Sequence, residues 1–135
     1  MALPFLDTNI FLRHLLQDHP EHSPFATAYL AHIEQGQIRA RTADTVVFEV
    51  VFTLQRYYKQ PREKIRDAFL PLLELPGIIL PGKQHFRQVF DWYIDLSLPF
   101  ADAYHAVLMK RLSLNEIVSL DGDFDRIPGI ERHKF

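Results

Sequence analysis

The sequence of 135 residues contains no cysteine. That absence excludes disulfides, thiolate zinc sites, iron–sulfur clusters and a cysteine nucleophile, and it fits a reducing compartment. Long apolar runs are missing too: nothing approaches the roughly 20 residues that a membrane-spanning helix needs. Met1 to Leu6 carries no positive charge, and Asp7 interrupts it before an export signal could form. The expectation is a cytoplasmic protein with no membrane segment. Glycine is scarce, at 5 residues, and no repeat, low-complexity tract or linker divides the chain. Charge of one sign is also lacking. The 15 Lys and Arg face 17 Asp and Glu, a net −2, which argues against an undifferentiated binder of polyanions.

What is present is a 47% hydrophobic chain of the length of one core, about 100–150 residues. Residues 1–135 are therefore expected to form a single domain. Charge is unevenly placed. Arg39, Arg41, Arg56, Lys59, Arg62, Lys64 and Arg66 face only Asp44, Glu49 and Glu63, while Asp121, Asp123 and Asp125 lie close together. A basic middle beside an acidic cluster suits a metal site next to a phosphate track; a solvated helix face explains the basic residues equally well.

The apolar run Leu3 to Leu6 reads as a buried strand ending at Asp7, and Thr8 to Gln17 reads as a helix. Ser23-Pro24 marks a helix start, and Gly36 its end. A short strand is expected over Gln37 to Arg41. Thr42 is placed to cap a helix from Ala43 to about Tyr58. Pro61 opens a further helix, which Pro71 should kink or split. Pro76-Gly77 is a turn before a brief strand, Ile78 to Leu80. Lys83 to Leu96 is an amphipathic helix through Phe86, Val89, Phe90 and Tyr93. Another helix runs from Phe100 to Leu112, and a last strand, Glu116 to Leu120, delivers the chain to Asp121. The segment from Ile127 to Phe135 is too short to assign. Strands alternating with helices predict an α/β fold, a mostly parallel sheet with helices on both faces. Ligands in such sheets sit outside the carboxyl ends of the strands, where Asp7 and Asp121 fall.

Glu49 stands in Val46-Val47-Phe48-Glu49-Val50-Val51-Phe52, where six of seven positions are apolar. Such a helix reads as buried, and a buried carboxylate needs a compensating partner. The alternative is that Glu49 lies on the one polar stripe and faces water. Asp102 lies in the first turn of its helix, where acids commonly complement the dipole. Asp7 is placed to cap the helix after it, and Asp121-Gly122-Asp123 reads as an ordinary turn. Taken together, several carboxylates brought into one crevice would repel unless a divalent cation compensated them. Oxygen-only ligands select Mg²⁺ or Mn²⁺, and such a site suits metal-assisted hydrolysis of a phosphodiester.

Leu6-Asp7-Thr8-Asn9-Ile10, Glu49 in its apolar helix, Phe100-Ala101-Asp102-Ala103 and Ser119-Leu120-Asp121-Gly122-Asp123-Phe124 resemble, in order and spacing, the acidic motifs of PIN-domain ribonucleases. A stand-alone domain of this length most resembles the VapC-type toxins of toxin–antitoxin pairs. The resemblance implies a PIN-like three-layer fold, with a central, mostly parallel, short-stranded sheet flanked by helices. It implies an endoribonuclease, dependent on Mg²⁺ with Mn²⁺ as a substitute, that activates water for in-line attack on phosphorus and leaves a 5′-phosphate. Asp7, Glu49, Asp102 and Asp121 would be the catalytic acids and metal ligands. Asp123 would be a substitute or supporting partner for Asp121, while Asn9 and Ser119 would order the site or its water. The family often has Thr where Ser119 stands, which keeps the hydroxyl. A homodimer, neutralised by a cognate antitoxin that inserts a segment at the acidic site, is implied as well.

His105, three residues after Asp102, reads as structural or supporting rather than as a ligand, since the acid–His pair occurs once. Tyr57-Tyr58-Lys59 with Arg62, Lys64 and Arg66 interleaves aromatics and cations in a way that suits RNA, although helix-end packing is the blander account. Lys59, Arg62 and Arg13 are candidate substrate contacts, and Arg13 is equally suited to a surface ion pair. Trp92 and Tyr93 belong to a core or a subunit interface. Two other phosphate chemistries fit less well. A haloacid-dehalogenase-type phosphatase needs a second Asp where Asn9 stands, and a receiver domain needs an Asp ending a middle strand, where Pro81-Gly82 follows Leu80. The non-enzymatic alternative is a catalytically silent PIN-fold interaction module.

Overall fold

In the computed structural model, which describes residues 2–133, the chain forms two compact units, Met1–Gln84 and His85–Phe135. The first begins with an extended segment that runs parallel to β1 (Ala40–Arg41), with a single bridge between Phe5 and Arg41. The Leu6 amide donates to the Arg41 carbonyl at 2.7 Å, and the Arg41 amide to the Pro4 carbonyl at 2.8 Å. β1 in turn pairs in parallel with β2 (Ile78–Ile79). The strand expected over Leu3 to Leu6 is thus one bridge long, and those expected over Gln37 to Arg41 and Ile78 to Leu80 shrink to two residues each. Thr42 explains part of this compactness. Its amide donates to the Ile79 carbonyl at 3.1 Å, and its buried hydroxyl donates to the Leu6 carbonyl at 3.1 Å. That hydroxyl therefore ties strand ends together and does not cap the helix that follows. α3 (Asp44–Arg56) starts at Ala43 with no side-chain cap.

α1 (Thr8–Leu16) begins directly after Asp7 and ends where Gln17 turns into the left-handed region at φ 51°. α2 (His22–Glu34) packs against it. Ser23 does not cap α2; it is buried inside the first turn, and its hydroxyl accepts the His19 amide at 3.1 Å. His19 does the capping instead. Its Nδ1 accepts the amides of Glu21 at 3.2 Å and His22 at 2.9 Å, two donors that a helix start leaves without intrahelical partners. The end of α2 is as expected: Gly36, at φ 79°, supplies the left-handed residue after the helix.

α4 (Arg62–Leu73) follows Pro61 and runs unbroken through Pro71. A proline near the end of a helix removes one bond, here to the carbonyl of exposed Asp67, which water can satisfy. The core of this unit gathers Phe11 from α1, Leu30 and Ile33 from α2, Val47, Val50, Val51 and Leu54 from α3, and Ile65, Phe69 and Leu73 from α4. Phe11 and Phe69 meet edge to face at 5.3 Å. The Lys83 ammonium donates to the Leu75 and Ile78 carbonyls at 2.6 and 2.7 Å, pinning the turn into β2.

The helix expected from Lys83 starts only at Phe86, in the second unit. The residues Lys83–His85 form a 3₁₀ turn, and α5 covers Phe86–Asp95. α6 (Phe100–Arg111) packs on α5 through an aromatic cluster. Phe100 lies 4.9 Å from Phe90 and 5.3 Å from Tyr93, ring centre to ring centre. Tyr93, Phe86, Val89 and Phe90 are core, whereas Trp92 is partly exposed under the Lys110 ammonium at 5.5 Å. β3 (Glu116–Val118) is shorter and more exposed than the expected strand. It pairs in parallel with β4 (Glu131–His133), a strand in the segment that the sequence left unassigned. Of that segment, residues 134 and 135 lie outside the described residues. Between β3 and β4 sits a 3₁₀ turn, Gly122–Arg126, whose Phe124 is buried. The fold is α/β, and every strand pairing among the described residues is parallel, in two small two-stranded sheets.

Candidate metal centre

Asp7 leaves the first extended segment just where Leu6 has made its last strand bond. Its backbone is extended (φ −82°, ψ 162°), and one carboxylate oxygen accepts the Thr8 amide at 2.8 Å, capping α1. The side chain is exposed, as is that of Asn9. Because the first segment and β1 run parallel, Asp7 and the start of α3 leave the strands at the same end, the end at which parallel sheets present their ligands.

Glu49 corrects one expectation. It is exposed, and with Thr45, Phe52 and Arg56 it forms a single solvent-facing stripe on α3, while Val46, Val47, Val50, Val51 and Leu54 are buried. Residues four, three and four apart share one face of a helix. The carboxylate is therefore displayed to solvent and does not sit in the core.

In the second unit three acids converge. Asp102 from the first turn of α6, with Asp121 and Asp123 from the turn after β3, each offer an oxygen, and these oxygens lie within 4.8 Å of one another. The turn is ordered from within. The Ser119 hydroxyl accepts the Asp121 amide at 3.0 Å, and Asp121 Oδ1 accepts the Asp123 amide at 2.9 Å. Leu120 between them is 99% exposed. Asp123 Oδ1 accepts from Arg126 at 2.9 Å, and the same guanidinium donates to the Leu96 and Ser97 carbonyls at the end of α5. Arg132 makes a two-pronged bond to Asp125, both contacts at 3.1 Å, fixing the turn to β4. Asp125 is thereby occupied and stands outside the three-acid cluster.

The electrostatics report the crowding. Burial, then the Asp121 charge, pushes the Asp102 carboxyl above the ordinary aspartate value; His105 pulls the other way, and Asp123 and a hydrogen bond with Asp121 add to the rise. His105 itself is exposed on α6. Three converging carboxylates, offering only oxygen donors, fit a hard divalent cation.

Of the residues singled out from sequence, Asp102, Asp121, Asp123 and Ser119 meet in this cluster, and Asp7, Asn9 and Glu49 belong to the first unit. Arg13 is engaged with Asp18, at 3.1 and 3.2 Å. Lys59 is exposed in a left-handed turn at φ 54°, and Arg62 is half-buried at the start of α4. Sequence reasoning missed Arg126, which holds Asp123; the three-residue spacing of acid and arginine was the available signal.

No helix among the described residues is long and apolar enough to cross a membrane. A comparison with curated proteins finds no match. The PIN domain profile, however, matches residues 5–130, from the strand before Asp7 to the turn beyond Arg126. On that match, the chain belongs to the PIN domain family.

Proposed function

We propose that this protein is a metal-dependent endoribonuclease that hydrolyses RNA phosphodiester bonds. PIN domains are generally nucleases, and the observation that carries the reading is the convergence of Asp102, Asp121 and Asp123. On this reading Asp102, Asp121 and Asp123, with Asp7 and Glu49, hold Mg²⁺, for which Mn²⁺ substitutes. Such a cation, when bound, lowers the pKa of a water and neutralises charge on the phosphodiester. The protein's own part is positional. Ser119 and the Asp123 amide orient Asp121, and Arg126 steadies Asp123. Asp102 would ligate as the carboxylate. Asn9 helps to order the water.

The order of the acidic motifs, Asp7, Glu49, Asp102 and Asp121, supports a VapC-type toxin, acting as a cytoplasmic homodimer and neutralised by a cognate antitoxin. The test is cleavage of labelled RNA by purified, antitoxin-free protein with Mg²⁺, Mn²⁺ or EDTA, beside Asp7→Asn. Metal-dependent cleavage that disappears in the variant is the expected result. Equal cleavage by both proteins would reject the site, and no cleavage together with no cation binding by calorimetry would leave a silent interaction module. Sedimentation of the purified chain tests the homodimer.

A further inference from the structure

The exposed stripe of α3 continues beyond Glu49 into aromatic and basic residues. Phe52 and Arg56 share its face, and the chain then turns through Tyr57, Tyr58 and Lys59. Large apolar side chains are rarely left open in a cluster without a use. Here Phe52 is 58% exposed, Tyr57 71% and Tyr58 47%. Phe52 and Tyr57 meet edge to face, centroids 6.2 Å apart at 79°. A contact of that kind sets the edge of one ring against one face of the other, and the pair leaves the remaining ring faces uncovered for stacking.

The charge around this pair is opposite to that of the whole chain. Between Arg56 and Arg66 there are five basic residues and one acid, in a protein of net charge −2. Arg56 lies two helical turns from Glu49, about 10 Å along the axis at 1.5 Å per residue. That length corresponds to about three nucleotides at the 3.4 Å spacing of a helical strand, and to fewer when the strand is stretched. Open aromatic faces beside cations are the combination that holds single-stranded nucleic acid, with bases on the rings and phosphates on the charges. A duplex, whose bases are already stacked, offers such rings nothing.

We infer that the face of α3 carrying Phe52, Arg56 and Tyr57, extended by Lys59, is the track for the single-stranded RNA flanking the cleaved bond, with Glu49 at its reactive end. This rests on the endoribonuclease reading for the identity of the ligand. Arg56 and Lys59 bind phosphates, and Tyr57, with Phe52 behind it, takes a base.

The test is fluorescence anisotropy of a labelled single-stranded oligoribonucleotide, and of its duplex, in EDTA so that nothing is cut. Tyr57→Ala and Phe52→Ala should each weaken single-strand binding about 5- to 100-fold, with Tyr57→Trp restoring it and the duplex little changed. The double variant Arg56→Gln/Lys59→Gln should lower the slope of log affinity against log salt by about 1.4, two contacts of about 0.7 each. Variants that bind like the wild type overturn the track. So do losses equal for single strand and duplex. If the same substitutions leave RNA binding intact and shift only the sedimentation equilibrium, the face is a contact between copies and the inference is wrong. A wild type that cuts RNA with metal, alongside unaffected variants, would sink the track alone. Binding that depends on Tyr57, without any metal-dependent cleavage, would sink the nuclease reading and leave the track standing.

Discussion

Asp102 and Asp121 are brought together from a helix start and a strand end, and the pairing alters Asp102. Loss of solvent, then the neighbouring Asp121 charge, makes the Asp102 carboxyl hold its proton more tightly than a free aspartate does. A folded-state value above the unfolded 3.8 means that the metal-free native state binds the extra proton. The resulting stabilisation is complete below 3.8 and is lost as pH rises through the raised value. Asp102→Asn should abolish this component, read as a flatter pH dependence of chemical denaturation in EDTA. Cation binding must displace the same proton, so Mn²⁺ affinity, measured by calorimetry, should rise with pH through that window. An affinity independent of pH would show that Asp102 is not a ligand.

Asp121 and Asp123 differ in what they already bind. Asp121 accepts a neutral backbone amide, whereas Asp123 gives an oxygen to the Arg126 guanidinium. Asp121→Asn should therefore cost more than about 100-fold in single-turnover RNA cleavage. Asp123→Asn and Arg126→Gln should cost about 10- to 100-fold in cation affinity, the range for residues that orient ligands. A larger loss from Asp123→Asn than from Asp121→Asn would reverse the assignment.

His14 works against acid. Its Nδ1 lies 2.8 Å from the Thr27 hydroxyl, which also accepts from Gln17, and burial lowers its pKa below 6.5. With the folded value depressed, protonation favours the unfolded chain, so stability falls as pH drops from 6.5 through the folded-state value. His14→Gln keeps a polar partner for Thr27 and removes the titration. It should flatten the loss of thermal stability below pH 6.5, and a curve parallel to the wild type would contradict this.

Gly77 has no room for a side chain. A Cβ there would stand 2.8 Å from Ile33 Cγ2, 3.1 Å from the Ile38 carbonyl oxygen and 3.2 Å from that of Ile33. Its own carbonyl receives the Ala40 amide at 2.9 Å, just ahead of the β1–β2 pairing. Gly77→Ala should destabilise by about 1–3 kcal/mol, the range for forcing atoms into a packed site, as measured by urea denaturation. Gly36→Ala offers a contrast: nothing lies within 4 Å of its Cβ, and only the φ of +79° resists the change.

Much of the site was legible because its parts are local. The turn from Ser119 to Asp123 needs only neighbours in sequence to form, as does the helix cap that Asp7 makes in the first unit. Glu49 was not legible in the same way. Six apolar residues in seven made burial the natural reading, yet Phe52 lies outward beside Glu49 and the core takes Val46, Val47, Val50 and Val51. The apolar count was right and its direction was wrong, since a hydrophobic side chain on a stripe carries no label for what covers it. Thr42 and Ser23 misled for a related reason. Both have the chemistry of a cap, but each hydroxyl found a nearer partner, Leu6 for one and the His19 amide for the other.

By itself the sequence determined the alternation of helices and short strands, the boundaries at Gly36 and Pro61, and the acids of the candidate metal centre. These follow from backbone sterics, hydrophobic period and side-chain chemistry, all of which act over a few residues. Tertiary structure decided which acids touch. Asp123 joined Asp102 and Asp121, while Asp125 was taken by Arg132. It also decided the parallel pairing of β4 with β3 and the outward face of α3. Those outcomes depend on which surfaces remain after the cores have packed, a property of the whole chain that no local pattern contains.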